Sequence, residues 1–220
     1  LGGALSVIDL TTKNGTTYRN LVQDQAILTV THQDNTVYCG TTICGGGTSI
    51  PTTTNAHVFS FNLKNRKIIR DVEFSIPGVD IPIGAVHGLK ISPYDGKLYG
   101  SAAGVDFVMN PDTLEIERYH LTGEGFEEGK KVSSLQLWHE YAMEFYNGYL
   151  FRTNQILDPE TLEALVTAPL DGQFAGIIDG AAYFVTANTD IYKIPIEENK
   201  ILGKRWTFDS GAALPEDFTK

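Results

Sequence analysis

The sequence is poor in cysteine, in clustered basic charge and in long apolar runs, and each shortage closes off a class of protein. Its two cysteines, Cys39 and Cys44, are too few for a disulfide framework and lack the second pair that a structural zinc site requires. They either close a local disulfide across a glycine-rich loop or stand as unpaired thiols, and the second reading is preferred. Seventeen Lys and Arg stand against 27 Asp and Glu, a net charge of −10, with no basic stretch dense enough to neutralise successive phosphates. Nucleic acid and anionic membrane surfaces are therefore poor partners. No apolar run approaches the roughly 20 residues of a membrane-crossing helix, so no membrane insertion is expected. Leu1-Gly2-Gly3 reads as neither a signal peptide nor a translation start, so an expression or processing boundary is expected there. The five histidines, His32, His57, His87, His120 and His139, show no H-x-H or HExxH spacing, and neither a metal nor a cofactor is expected.

What is present points to a folded all-β chain. Hydrophobic residues make up 42% of the 220 and charged residues 20%, enough apolar surface for a core. Four turn dipeptides each precede an apolar or aromatic strand: Asp34-Asn35, Asp95-Gly96, Asn147-Gly148 and Asp179-Gly180. Asx-Gly pairs tolerate positive φ at both central positions of a type I′ turn, so four hairpins of that type are predicted. A second marker recurs between them: Asp9-Leu10-Thr11-Thr12, Asn62-Leu63-Lys64-Asn65, Asn110-Pro111-Asp112-Thr113, Asp158-Pro159-Glu160-Thr161 and a degenerate Pro195-Ile196-Glu197-Glu198. An Asx side chain in first position caps such a turn.

Each marker repeats about every 46 to 48 residues, the period of β-propeller blades. Two turns per period make two hairpins, hence four antiparallel strands, lettered A to D outward from the axis. The reading is a β-propeller of about four and a half blades, with blade parts at approximately 1–22, 23–75, 76–122, 123–168 and 169–210. Residues 1–22 supply only a C–D hairpin. Because a propeller hides its edges by closing, residues 1–220 are expected to form a propeller domain or a fragment of a larger ring.

The phrase His87-Gly88-Leu89-Lys90-Ile91-Ser92-Pro93, leading into Asp95-Gly96-Lys97-Leu98-Tyr99-Gly100, resembles the repeat of the propeller superfamily that includes YVTN, SMP-30-like and quinoprotein-like proteins. That resemblance implies the fold and leaves activity open, since such folds host lactonases, lyases, dehydrogenases and plain binding domains. Leu1-Gly2-Gly3-Ala4-Leu5, with Tyr38-Cys39-Gly40-Thr41-Thr42 and Pro51-Thr52-Thr53-Thr54-Asn55-Ala56, is similar to propeller segments of large secreted Gram-positive bacterial proteins, often beside carbohydrate-related modules. It departs from them at both cysteines. It implies an extracellular or cell-surface setting and brings no catalytic residues.

Spacing between markers carries the functional clue. Twenty-eight residues separate Asp34 from Asn62, against 15, 11 and 16 in the later repeats, and the excess falls in a B–C loop near 43–55. Further excess falls in D–A connections near 74–84 and 122–137. B–C and D–A connections leave a meander at the same end, and one-sided insertion marks a binding face or a packing surface.

At that end six residues are candidate ligand contacts: His87 opening an inner strand, the aromatic and ionisable run Trp138, His139, Glu140 and Tyr141, and Arg152 on a B strand, available to an anion or to Asp158. Aromatic faces stack on sugar C–H groups while carboxylates take hydroxyls. The plainer alternatives are a structural histidine and core aromatics. Gly45-Gly46-Gly47-Thr48-Ser49 lacks the lysine and following helix of a phosphate loop. The expectation is a non-catalytic glycan- or protein-binding propeller, joined to other segments of its parent protein. The alternative is part of a polysaccharide lyase or lactonase-like hydrolase whose catalytic residues lie partly elsewhere.

Overall fold

The computed structural model describes residues 2–44, 50–102, 104–122, 140–168, 172–186 and 190–196, together with the backbone of 206–207. Every element among them is a strand, and the chain divides into two compact units, Leu1–Glu140 and Tyr141–Lys220. Among the described residues no helix is long and apolar enough to cross a membrane.

The first unit opens with a hairpin of β1 (Ala4–Ile8) and β2 (Gly15–Arg19). Two four-stranded antiparallel meanders follow, β3 (Ala26–Gln33) to β6 (Lys67–Glu73) and β7 (Val86–Ile91) to β10 (Ile116–Leu121). Their middle strands are β4 (Thr36–Thr42), β5 (His57–Asn62), β8 (Leu98–Ala102) and β9 (Val105–Met109). The second unit holds a third meander, β11 (Met143–Tyr146), β12 (Tyr149–Arg152), β13 (Gln155–Leu157) and β14 (Ala164–Thr167). A fourth sheet contains β15 (Gln173–Ile178), β16 (Ala181–Val185) and β17 (Ile191–Pro195). Four-stranded up-and-down antiparallel sheets repeated along a chain are propeller blades.

The short strand β18 (Trp206–Thr207) pairs in parallel with Val166 and Thr167 of β14. The outer edge of β14 presents unpaired backbone groups, and an edge recruits whatever strand reaches it.

The turns follow their markers. Asp9, Asn62, Asn110 and Asp158 each accept backbone N–H bonds through Oδ1, from Thr11 and Thr12, Lys64 and Asn65, Asp112 and Thr113, and Glu160. Four residues on, Lys13, Arg66, Leu114 and Leu162 take positive φ (60, 56, 57 and 62°) and return an N–H to the marker's carbonyl. This is a capped turn closed by a left-handed residue.

The A–B turns are less uniform than predicted. Asn147-Gly148 and Asp179-Gly180 have positive φ at both positions, as type I′ demands. In Asp34-Asn35 only Asp34 does, and in Asp95-Gly96 only Gly96, at 70°. Ser92 explains the second case: its Oγ accepts from the Tyr94 and Asp95 N–H groups, and Gly96 N–H returns to its carbonyl. That turn is built like the outer ones, with serine in the Asx role.

The blades also share bulges. Leu28, His87 and Ala175 are each the extra residue in an inner strand, between the paired residues Ile27 and Thr29, Val86 and Gly88, and Phe174 and Gly176. Ile69, Glu117 and Leu165 play the same part in outer strands. Each bulge bends its strand and increases twist.

Cores lie between sheets. Leu5 and Tyr18 of the hairpin pack on Cys39, Phe59 and Phe61, with the Tyr18 and Phe61 rings 4.9 Å apart. Tyr38, Val58 and Phe74 pack against Leu98, Phe107 and Met109 of the second sheet, Phe74 lying 4.6 Å from Phe107. In the second unit Phe151 stacks on Phe174, which meets Phe184 edge-on. Each fully buried ring contributes roughly 1.5–3 kcal/mol relative to exposure. The first two inner strands are also joined by side chains: Thr29 Oγ1 accepts from the Leu89 N–H and Thr31 Oγ1 from that of Ile91. Both cysteines are free thiols and buried, and burial pushes Cys39 up to about 12.

Candidate functional site

In the first unit the β4–β5 and β6–β7 connections emerge at one end, and a buried amide anchors them. Gln25 Nε2 donates to Thr53 Oγ1 (3.1 Å) and to the Asn55 carbonyl (3.0 Å), while its Oε1 accepts from Thr41 Oγ1 (2.5 Å). Thr41 Oγ1 in turn accepts the His57 N–H at 2.7 Å. Asn55 then ties the two connections together, its Oδ1 accepting from the Ile83 N–H (2.9 Å) and its Nδ2 donating to Glu73 Oε1 (2.5 Å). Phe74, Ile76 and Ile83 are fully buried beneath. Every polar group of this anchor has a partner, as burial demands. Above it residues 50–54 are exposed.

Beside the anchor lies a pair that sequence reasoning missed. His57 Nδ1 meets Asp71 Oδ1 at 2.7 Å, with Glu73 opposite on the neighbouring strand. The Asp71 bond raises the imidazole above its ordinary value; partial burial opposes this, and the Asp71 and Glu73 charges add to the rise. Asn55, His57, Asp71 and Glu73 thus present amide, imidazole and carboxylates on one patch.

The six expected contacts are placed as follows. His87 is fully buried as the bulge residue of β7. Arg152 is buried at the end of β12, its Nη2 donating to Gln155 Oε1 at 2.9 Å across the tight turn to β13. Glu140 is exposed and ends the first unit; Tyr141 is half-buried and begins the second. Trp138 and His139 lie outside the described residues, as do Gly45 to Ser49. His87 and Glu140 thus belong to the first unit, and Tyr141 and Arg152 to the second.

At the opposite end, under the turn of the hairpin, is a cleft of about 440 Å³. It is lined by apolar Val7, Tyr18 and Leu63 and by Asp9, Asn14 and Arg66. The backbone N–H groups of Thr12 and Thr11 hold the Asp9 carboxyl below its usual range. At the same end of the second sheet, Tyr99 OH donates to Asp95 Oδ2 (3.1 Å) and accepts from Arg118 Nη2 (2.7 Å). Burial pushes that phenol up to about 12, so the triad serves as a structural brace. Among the described residues no group of three or more His, Cys, Asp or Glu is arranged to hold a metal ion.

No family model matches the sequence, and no curated protein is detectably similar to it. Among solved structures it is similar to the computationally designed Ika4 protein, at 13% identity and a TM-score of 0.49 over 80% of this chain and 94% of that one. It is also similar to the WD40 domain of Neurospora crassa Pan2, at 10% identity and a TM-score of 0.49 over 84% of this chain. The chain spans half the length of the Pan2 domain. The propeller assignment rests on this chain's own strand order, shared turns and shared bulges.

Proposed function

We propose that the chain is a non-catalytic interaction module that binds a glycan through the end bearing its long connections, within a secreted or cell-surface bacterial protein. The observation that carries this is the Gln25 anchor. It ties the exposed residues 50–54 down at Thr53 and Asn55, so little of their ordering entropy is lost when a ligand is bound. The chemistry beside it suits sugar hydroxyls, because the exposed Asp71 and Glu73 carboxylates keep acceptor sites beyond their bonds to His57 and Asn55. Elsewhere the polar groups act within the fold: Asp9 and Asp158 cap turns, and Asp95 and Arg118 brace a strand. The resemblance of residues 1–5, 38–42 and 51–56 to Gram-positive secreted propellers supports the compartment, and that of 87–100 supports the YVTN-like or quinoprotein-like subtype.

A glycan array followed by calorimetric titration tests the reading. Titrated at about pH 8.5, where the His57 and Asp71 pair adds least to stability, Asp71→Asn and Trp138→Ala should weaken the best array ligand about tenfold or more, and Arg66→Ala at the opposite cleft should leave affinity unchanged, with melting curves showing all three folded at the titration temperature. The reading fails if no glycan binds, or if Arg66→Ala alone abolishes binding, which would move the site to the 440 Å³ cleft.

A further inference from the structure

Two faces of this chain are open at positions its own repeats elsewhere bury. In the first unit the residue just before an outer turn marker points at the preceding sheet. Phe61 and Met109 do so at 1% and 2% exposure, inside the cores that join the hairpin to the first sheet and the first sheet to the second. The equivalent Ile8 is 61% exposed, because Leu5 and Val7 turn toward the first sheet and leave Ile8 on the hairpin's other side. At the far end of the sequence the opposite face is open. Within each unit an aromatic three residues after an inner turn points at the following sheet: Tyr38 is 5% exposed and Phe151 0%. Its equivalent, Tyr183, shares its face with Val185 (37%) and Ile191 (59%), while Ala182 and Phe184 face the third sheet. The register makes the contrast direct, since Val58 pairs with Gly40 as Ile191 pairs with Val185, and Val58 is 0% exposed.

We propose that these are the two halves of one inter-sheet junction, and that the β15–β17 face of one copy seats the β1–β2 hairpin face of a second copy, head to tail. The volumes are complementary. The sheet face presents Tyr183, with the Lys193 ammonium over its ring, beside Val185 and Ile191, and the hairpin face presents Ser6 and Thr17 around Ile8, an alternation of large against small that this fold already uses between sheets where Val86 lies against Gly40. Beside Ile8, Ser6 Oγ and Thr17 Oγ1 bond to each other at 3.0 Å, so covering that pair strands no donor, while Arg19, exposed opposite Ala4, sits at the far end of the face, where its guanidinium stays in water. Each copy carries one face of each kind, so the contact is heterologous and propagates until it closes.

Complementation distinguishes this from any other association. Sedimentation velocity on the full chain should show mass rising with concentration. Ile8→Glu and the double variant Val185→Glu/Ile191→Glu alter exposed positions and should keep the far-ultraviolet spectrum and melting temperature of the parent. Each alone should sediment as a monomer. Mixed one to one, they should form a species of twice the chain mass that grows no further, because the intact sheet face of the first takes the intact hairpin of the second. A parent chain that stays monomeric at every concentration, as when the junction closes within one chain, overturns the proposal. So does a single variant that still associates, or a mixture that stays monomeric.

Discussion

Gly100 is the position where packing makes its sharpest demand. A Cβ added there falls within the Phe107 ring, with Cε2 at 2.5 Å and even Cε1 at 2.8 Å. The ring cannot swing away freely, since Phe107 is fully buried and held 4.6 Å from Phe74 in the core between the first two sheets. Gly100→Ala should therefore cost about 2 kcal/mol, within the usual range for overpacking, and lower the melting temperature by about 4–8 °C in a chain of this size. Gly148→Ala is the control: that Cβ meets nothing within 4 Å, and only the φ of 82° opposes it, at about 1 kcal/mol. Replacing Phe107 by leucine in the Gly100→Ala background should recover part of the loss, so the double variant is more stable than the sum of the singles. Urea unfolding followed by near-ultraviolet circular dichroism measures all four. Equal losses from the two alanines, or strict additivity in the double variant, would refute the argument.

The turns and the imidazole pair give two further expectations. Gly96→Val should cost about 1 kcal/mol or more because a β-branched residue is strained at a φ of 70°, whereas Asn35→Val, where φ is not positive, should cost under about 0.5 kcal/mol in the same urea assay. His57 is raised above its ordinary value by Asp71, so the stability from this pair is fully present below the unfolded imidazole value and is lost as pH rises through the folded one. The stability gap between parent and Asp71→Asn should thus be wider near pH 6 than near about pH 8.5, by thermal melts in matched buffers; a gap independent of pH would count against the pair.

Much of the fold was legible because its signals are local. An Asx residue followed four positions later by a left-handed residue is fixed within five residues, and so Asp9, Asn62, Asn110 and Asp158 mark their turns in the sequence itself. The strands between them follow, and β9 (Val105–Met109) ends directly at the Asn110 marker. The inner turn at Asp95-Gly96 misled for an equally local reason: Asp-Gly fits type I′, but Ser92 three residues upstream competes for the same N–H groups and wins.

The candidate site was far less legible, and the bulges are the cause. Counting back from the Asn62 and Lys67 pair without interruption would set Val58 opposite Asp71 and His57 opposite Val72, with imidazole and carboxylate on different faces. The extra residue Ile69 shifts the register by one, bringing Glu73 opposite His57 and Asp71 diagonal to it, within a hydrogen bond. A one-residue slip moves every later side chain to the other face, and nothing in the spacing of apolar residues announces where it falls. The same device explains His87. Its type invited a ligand role, but as the extra residue of β7 it occupies the position that Leu28 and Ala175 hold in their strands, and a place in the repeat that accepts leucine, histidine and alanine is set by backbone geometry. Chemistry at the long-loop end thus depends on which residue each bulge displaces, so an insertion or deletion at Ile69 should dismantle the His57 and Asp71 pair while leaving both residues in the sequence.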